Sequence, residues 1–266
     1  MFVIEPSIKL EMPNPQLIVE KLMMPAEWPC LKRPRLVALM EKSLSSCSST
    51  VISARAGSGK TTLAVDFARN CGRRVAWYKV DAPDSDLPSF FEYLTASIRA
   101  QRQDFLGFAQ SDSFRDSIDV QRAVNRLVYD LAETGFEPLL IVIEDLHLVC
   151  DSIWLMPFVT RLLPLLPSDV HVLITSRTMP PAPLWRMRSK QTLTVIDEEA
   201  LKFNRSEAIE LFKTFGLTQE QACIALDHTH GRAAALSSFA VTLQLAERRA
   251  TERNRRSAEA LVQDSP

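Results

Sequence analysis

Several features that would assign this chain to a specialised class are missing from its sequence. The five cysteines are scattered and none form a C-x-x-C pair, which argues against a disulfide framework or a zinc site. No apolar run approaches the roughly 18 residues that a membrane span needs. The proline-interrupted N-terminus lacks the basic and apolar regions of a signal peptide. These absences predict a cytoplasmic protein that does not enter a membrane.

An excess of either charge is also missing. The chain has 31 basic and 32 acidic residues, so its net charge of −1 gives no general attraction to nucleic acid. No recognition-helix unit is evident in the sequence, so we expect no sequence-specific DNA binding by this chain alone. The apolar fraction of 46% is ample for a core, and 266 residues suit one large domain or two smaller ones.

Glycine is scarce, yet two of the seven glycines fall in one short turn. The apolar pair Val51-Ile52 predicts a buried strand, and the turn follows it as Ala54-Arg55-Ala56-Gly57-Ser58-Gly59-Lys60-Thr61. Leu63, Phe67 and Cys71 then recur at helical spacing. A strand, a glycine-containing loop, Lys-Thr and a helix, in that order, form the context of a phosphate-binding loop.

This loop predicts contacts to a polyphosphate from its backbone and from two side chains. Glycines let the backbone fold close around the phosphates, and the helix N-terminus adds partial positive charge. Lys60 is expected to reach the β- and γ-phosphates, and the Thr61 hydroxyl to hold Mg²⁺. The predicted nucleotide-binding residues of the loop are Ala56, Gly57, Ser58, Gly59, Lys60, Thr61 and Thr62.

Two acids follow the most apolar strand pattern. Leu139–Ile143 is aliphatic throughout, as in a central parallel strand, and Glu144-Asp145 comes directly after it. In nucleoside triphosphatases a carboxylate at this point serves Mg²⁺, and a second one orients or deprotonates the attacking water. The metal residues predicted here are therefore Thr61, Glu144 and Asp145. Glu144 is expected to bind the metal and Asp145 to act on the water, or the alignment of the two roles with the sequence is shifted by one residue.

A basic residue ends the next strand pattern. Arg177 follows Val170–Thr175 and Ser176, which predicts a position beside the nucleotide. There it would sense the γ-phosphate or stabilise charge during phosphate transfer. The predicted catalytic residues are thus Asp145, Glu144 and Arg177. His147 lies close to the acid pair, and we interpret it as a turn or packing histidine because too few further metal ligands surround it in the sequence.

The order of the patterns predicts the fold class. Further strands at 75–80 and 192–196, with helices between the strands, indicate an α/β fold with a doubly wound five-stranded parallel sheet. From about Glu198 only helical periodicity remains, which predicts a small all-helical domain. The expected divisions are an N-terminal arm (1–29), a nucleotide-binding domain (30–197), a helical lid domain (198–247) and a charged tail (248–266).

Eight segments together resemble the nucleotide-binding region of MalT-like, LuxR-type large transcriptional activators, which are P-loop ATPases of the STAND class of signal-transducing proteins. The segments occur in family order over about residues 30–245: RPRL (33–36), SARAGSGKTTLAVDFA (53–68), VAWYKVD (75–81), FFEYL (90–94), LLIVIEDLHLV (139–149), VLITSR (172–177), LKFNRSEAIELF (201–212) and THGRAAAL (229–236). This sequence departs from the family at Glu144, where Asp is usual, and at Arg232-Ala233, where an aromatic residue or Pro is common.

The resemblance implies a nucleotide and a mode of action. The nucleotide would be ATP, hydrolysed slowly with Mg²⁺, and the ATP and ADP forms would be different switch states. The ATP form would self-associate or bind a protein partner, and DNA would be bound only through a domain that this chain does not contain. Arg33 and Arg35 of the RPRL segment would lie near the adenine, and the helical domain would act as a lid through the turn at Gly231.

Two other functions are compatible with the same residues. One is a small-molecule P-loop kinase, for which Arg186, Arg188 and Lys190 provide basic candidates after the fourth strand. The other is a nucleotide-dependent interaction module that does not hydrolyse ATP. The Asn-Lys-x-Asp motif that recognises guanine is absent, which counts against a GTPase. Turnover with ATP alone separates a weak regulatory ATPase from both alternatives.

Overall fold

The computed structural model describes residues 17–26, 30–105, 107, 120–135, 137–179, 184–190 and 192–263. Its described residues form two compact units. The α/β unit takes those within Met1–Trp28, Arg35–Ala54 and Lys60–Asp197, and the helical unit takes those within Pro29–Pro34, Arg55–Gly59 and Glu198–Pro266.

A parallel sheet of five strands is the centre of the α/β unit. The strands are β1 (Ser49–Ser53), β2 (Arg74–Lys79), β3 (Leu139–Glu144), β4 (Val170–Ser176) and β5 (Leu193–Ile196), and their order across the sheet is β2-β3-β4-β1-β5. All pairings are parallel. Every residue of β3 and β4 is buried, which explains their nearly continuous apolar sequences. The prediction of a five-stranded parallel sheet is confirmed.

Six α-helices are described in the α/β unit. They are α1 (Pro34–Ser46), α2 (Lys60–Asn70), α3 (Leu87–Arg99), α4 (Val120–Glu133), α5 (Leu155–Leu162) and α6 (Leu184–Ser189). Trp154 and Phe158 pack with Phe90 and Phe91 in an aromatic cluster of the core. The polar stretch 101–116 predicts a loop, and part of it, at 106 and 108–116, lies outside the described residues.

Part of the predicted N-terminal arm packs on the α/β unit. Val19–Leu22 is a short 3-10 helix, and the ammonium of Lys21 lies 2.7 Å from a carboxylate oxygen of Asp84. Both side chains are buried, and the ammonium also lies over the ring of Tyr93, 4.5 Å from its centroid. A buried charge of this kind persists because it is paired. Residues 1–16 and 27–29 lie outside the described residues.

The helical unit contains α7 (Glu198–Leu201), α8 (Arg205–Thr214), α9 (Gln219–Thr229) and α10 (Ala233–Gln263). Capping boxes begin α8 and α9, because Asn204 pairs with Glu207 and Thr218 with Gln221. Leu211, Phe212 and Leu236 are among the residues of its core. The predicted helical C-terminal region is confirmed, and none of the described helices is long and apolar enough to span a membrane.

The longest helix includes most of the stretch that the sequence marks as a charged tail. Residues 248–266 suggested a charged tail, but α10 continues without interruption through Arg248 to Gln263. The reason is local, since alanine, arginine and glutamate have high helix propensity and oppositely charged residues recur at helical spacing. The charged character of this stretch therefore indicates a solvated helix.

A buried histidine joins β1 to β4 and makes the fold sensitive to acid. Nε2 of His171 lies 2.8 Å from Oγ1 of Thr50, and Nδ1 lies 3.1 Å from the carbonyl oxygen of Cys47. His171 is 2% exposed. Burial, with a smaller contribution from the positive charge of Arg73, lowers the pKa of His171 to about 4.

We expect the free energy of unfolding to fall as the pH is lowered from about 6.5 to about 4. In this interval the unfolded chain binds a proton at position 171 and the folded chain does not, so acid favours unfolding. The loss attributable to His171 approaches about 3 kcal/mol. Urea unfolding as a function of pH measures it, with His171→Gln showing a shallower fall and the exposed control His228→Gln following the wild type. Equal slopes for His171→Gln and wild type would contradict this assignment.

Candidate functional site

The predicted phosphate-binding loop lies between β1 and α2. Ala54 follows β1 and is buried, and its N–H donates to the carbonyl of Ser176 at 3.2 Å. Gly57 has φ +74° and Gly59 has φ +88°, which are conformations that side chains disfavour. Lys60 is the first residue of α2. The glycines therefore stand where the backbone must turn from the strand into the helix.

Three successive carbonyl groups of the loop accept hydrogen bonds. The Ser58 hydroxyl donates to the Arg55 carbonyl at 2.7 Å, and the guanidinium of Arg232 donates to the Ala56 carbonyl at 2.8 Å. The N–H of Ala234 donates to the Gly57 carbonyl at 2.9 Å. The loop residues and the groups that donate to them all belong to the helical unit, which includes Arg55–Gly59, Arg232 and Ala234.

These contacts also orient the N–H groups of the loop, because of the geometry of the trans peptide bond. In each peptide group the C=O and the N–H of the next residue point in opposite directions. The held carbonyls of Arg55 to Gly57 therefore turn the N–H groups of Ala56, Gly57 and Ser58 to the other side of the loop. Among the described hydrogen bonds, none is donated by these three N–H groups. Successive N–H groups arranged in this way form an anion-binding concavity.

Lys60 and Thr61 make defined contacts inside the α/β unit. The ammonium of Lys60, whose residue is 7% exposed, donates to the carbonyl of Ala54 at 2.7 Å. The Thr61 hydroxyl donates to Oε1 of Glu144 at 2.6 Å. Thr62 is exposed in the first turn of α2. The loop lysine thus bonds to the backbone that precedes the loop, and the adjacent threonine bonds to the first acid after β3.

Glu144 is held by partners on two elements. Its residue is 3% exposed, and its second oxygen, Oε2, accepts a hydrogen bond from the indole Nε1 of Trp77 at 3.1 Å. Trp77 lies on β2, which pairs with β3. Both carboxylate oxygens are therefore oriented by the protein. A hydroxyl beside a carboxylate is an oxygen set that suits Mg²⁺, which takes few protein ligands and several from phosphate and water.

Asp145 has an unusual backbone. Its φ of 59° and ψ of 35° are in the left-handed region, and its N–H donates to Oγ1 of Thr175 on β4 at 3.1 Å. A non-glycine residue in this region is uncommon, and such residues concentrate at functional sites. The side chain of Asp145 is 26% exposed, whereas Glu144 is buried. The two acids therefore have different surroundings, and only Asp145 is accessible to solvent.

His147, interpreted from the sequence as a turn or packing residue, belongs to the same cluster of charges. Its Nδ1 is 3.8 Å from Oδ1 of Asp145, and both ring nitrogens are buried without a hydrogen-bond partner among the described residues. Burial lowers the pKa of His147; Asp145 opposes this effect, and the positive charges of Arg177 and Lys60 add to it. The imidazole therefore stays neutral near neutral pH. Its nearness to Asp145 in sequence was the available signal.

Arg177 and the two arginines of the RPRL segment have different surroundings. Arg177 is exposed directly after β4, and its charge acts on His147. Arg33 is buried in the helical unit, where its guanidinium donates to the carbonyls of Leu201 and Lys202 and to Glu207 at 2.7–2.9 Å. Arg35 is exposed at the start of α1. The contacts of Arg33 are thus structural.

A cavity of about 300 Å³ lies within the helical unit. Its lining includes Arg55, Ser58, Glu198, Lys202, His230 and Arg232. Leu201 and Lys202, whose carbonyls bind Arg33, also line it, so Arg33 supports a wall of the cavity from behind. Three of its lining residues carry positive charge and one carries negative charge.

Comparisons with known proteins relate the chain to transcriptional regulators. No protein-family profile matches it. It is similar to the HTH-type transcriptional regulator MalT of Yersinia enterocolitica, with 29% identity over 199 residues that cover 73% of this chain and 22% of the relative. MalT of Serratia proteamaculans is 25% identical over 215 residues, covering 79% and 23%. The chain spans less than a quarter of the length of these curated relatives.

Solved structures also match at low identity. One is a STAND protein with a tetratricopeptide repeat sensor from Pyrococcus horikoshii, with a TM-score of 0.48, 17% identity and coverage of 80% of this chain and 30% of that chain. Another is a Walker-type ATPase of Pyrococcus abyssi, with a TM-score of 0.48, 13% identity and coverage of 89% and 77%. The fold assignment itself rests on the strand order and pairing described above.

Proposed function

We propose that this chain, a MalT-like P-loop ATPase region of the STAND class, works as a nucleotide-operated switch module of a transcriptional regulator. It binds ATP or ADP with Mg²⁺ and hydrolyses ATP slowly. The nucleotide state controls self-association or the binding of a protein partner. DNA binding belongs to another part of the regulator, in keeping with the name of its relatives and the net charge of −1 here.

The observation that carries this proposal is the loop, in which the N–H groups of Ala56 to Ser58 donate none of the described hydrogen bonds. Inside the α/β unit, the Thr61–Glu144 pair offers oxygen ligands for Mg²⁺. The N–H groups of Ala56 to Ser58 bind phosphate oxygens, and Lys60 contacts the terminal phosphates once it leaves the Ala54 carbonyl. Thr61 and Glu144 would hold Mg²⁺, directly or through water. The ion held there would supply positive charge to the phosphates.

The residues around Asp145 suit the hydrolytic half of the function. We assign Asp145 to orienting the attacking water, because its carboxylate is accessible whereas Glu144 is buried against Trp77 and Thr61. His147 is a neutral imidazole beside Asp145. One of its ring nitrogens can accept a hydrogen bond and the other can donate one. The cavity of the helical unit, with Arg33 behind its wall, is assigned to the nucleoside part of the ligand.

The switch is tested by measuring mass in solution with each nucleotide. Light scattering after size exclusion, with Mg²⁺ and either ATP or ADP at saturating concentration, should give a larger mass for the ATP form. Addition of a non-hydrolysable ATP analogue should preserve that mass over time, whereas ATP should allow a slow return. The same mass with ATP and with ADP would exclude self-association as the output and leave partner binding as the remaining output of the switch.

Arg177→Ala should narrow the difference between ATP and ADP affinity. If Arg177 contacts the γ-phosphate, its loss costs one charge-assisted hydrogen bond, which weakens ATP binding about tenfold. ADP lacks that group, so its affinity should change little. Titration calorimetry with both nucleotides measures this, with Arg188→Ala as the matched control for an exposed arginine of the same unit. An equal loss for ATP and ADP would place Arg177 elsewhere on the nucleotide.

A further inference from the structure

We infer that Arg232 is a positioning residue that holds the phosphate-binding loop in its anion-binding shape from the helical unit. This inference rests on the proposed function and concerns the regulation of the same site. The guanidinium of Arg232 donates to the carbonyl of Ala56 at 2.8 Å, and two residues later the N–H of Ala234 donates to the carbonyl of Gly57 at 2.9 Å. Helix α10 begins at Ala233, between these two donors.

The two contacts fix two peptide planes of the loop. Because C=O and N–H oppose each other across a trans peptide, a donor on the Ala56 carbonyl orients the N–H of Gly57. The donor on the Gly57 carbonyl orients the N–H of Ser58 in the same way. A peptide on either side of a glycine flips easily, so a loop without these donors samples orientations that do not bind phosphate. Arg232 and Ala234 therefore reduce the conformational entropy that the loop loses when it binds an anion.

Close packing between the loop and the start of α10 supports the same role. A Cβ built on Gly57 would lie 2.9 Å from the Cβ of Ala234, so a side chain at position 57 would push α10 away. The turn before α10 is equally tight, because a Cβ on Gly231 would lie 2.6 Å from the carbonyl oxygen of Phe203. This turn fixes where Arg232 leaves the backbone, and so where its guanidinium reaches the loop.

A second contact holds the start of the loop on the same unit. The carboxylate of Glu198, in α7, accepts hydrogen bonds from the backbone N–H of Arg55 at 3.1 Å and from its guanidinium at 2.5–3.0 Å. Glu198, in α7, and Arg232, in the turn before α10, thus hold two peptide groups of the loop, at the Arg55 N–H and at the Ala56 carbonyl. Movement of the start of α10 away from residues 55–59 would release the Ala56 and Gly57 carbonyls together. The affinity for every phosphate-bearing nucleotide would then fall, although Arg232 itself does not contact the phosphates.

The test compares three variants of the full 266-residue chain. Arg232→Ala removes the donor, Arg232→Lys restores one donor on a long side chain, and Arg205→Ala removes an exposed arginine elsewhere in the helical unit. Titration calorimetry with Mg²⁺-ATP and Mg²⁺-ADP should show that Arg232→Ala weakens both by about threefold to tenfold, the range for one hydrogen bond. Arg232→Lys should regain part of the loss, and Arg205→Ala should bind like the wild type.

Hydrogen exchange without nucleotide gives a second readout that is independent of the ligand. Amides of residues 55–59 should exchange faster in Arg232→Ala than in the wild type or Arg205→Ala, while α8 and α9 keep their protection. Unchanged exchange in the loop would overturn the inference. A much greater loss for ATP than for ADP would also overturn it, because Arg232 would then contact the γ-phosphate itself. Absence of any nucleotide binding by the wild type would instead reject the proposed function, with the loop exchange still deciding the role of Arg232.

Discussion

Lys60→Ala should lower the affinity for Mg²⁺-ATP by at least about tenfold, and by as much as about a hundredfold. The ammonium would contribute charge-assisted hydrogen bonds to phosphate, each with a free energy of about 1.5–3 kcal/mol. The ammonium already lies at the start of the loop, because Lys60 begins α2 and its ammonium donates to the Ala54 carbonyl. Affinity for ADP should fall as well, because the β-phosphate is shared by both nucleotides.

The variant should remain folded. Lys60 contributes no apolar surface to the core of the α/β unit, and the Ala54 carbonyl loses a hydrogen bond with a net free energy of about 1 kcal/mol. That loss is small against the 5–15 kcal/mol typical of domain stability. Lys42→Ala, an exposed lysine on α1, is the matched control for the removed charge. Equilibrium binding measures the ATP affinity, and thermal unfolding shows whether the variant is folded. Unchanged ATP affinity in a folded Lys60→Ala protein would exclude the loop as the phosphate site.

Asp145→Asn should leave ATP bound and reduce its hydrolysis by a factor of about 10²–10⁴. A residue that orients or deprotonates water acts mainly in the transition state, so its removal lowers kcat more than it changes binding. Asparagine keeps the size of the side chain and tolerates the left-handed backbone at this position. Phosphate release measured alongside ATP affinity tests this, and Asp151→Asn, an exposed acid of the same unit, provides the control.

Glu144→Gln should change the Mg²⁺ dependence of nucleotide binding, whereas Asp145→Asn changes hydrolysis. Its carboxylate accepts from Thr61 through one oxygen and from Trp77 through the other, and an amide can accept through only one of them. Nucleotide affinity should therefore lose much of its dependence on Mg²⁺. Interchanged results for Glu144→Gln and Asp145→Asn would mean that the assignment is shifted by one residue. Wild-type behaviour of both would mean that the nucleotide binds elsewhere in the protein.

Hydrolysis by the wild type also separates the functions that the sequence leaves open. Slow release of phosphate with ATP alone supports a regulatory ATPase. Binding of ATP without any release, in wild type and Asp145→Asn alike, supports a non-hydrolysing interaction module. The departure at Glu144 makes this measurement informative, because the longer acid is held against Trp77 and Thr61 and Asp145 is the accessible one.

The sequence by itself determined the elements and the loop. Each of the five strands was predicted within about two residues, because buried parallel strands require short apolar runs and these runs end at polar residues. The phosphate-binding loop could also be predicted from the sequence, because its glycines, Lys60 and Thr61 lie within eight consecutive residues and act through local backbone conformation. Helix periodicity likewise predicted the helical C-terminal region, although it did not show that α10 continues through the charged stretch.

Only the tertiary structure decided which distant side chains meet. The strand order β2-β3-β4-β1-β5 brings Trp77 to Glu144, and no local pattern encodes that neighbour. The left-handed turn at Asp145 places His147 among charged groups, whereas its sequence context suggested a turn or packing histidine. Arg232, which departs from the family pattern, meets a loop carbonyl about 176 positions earlier in the chain. Such contacts depend on how separate elements pack, and packing is a property of the whole chain that the spacing of residues within one segment does not contain.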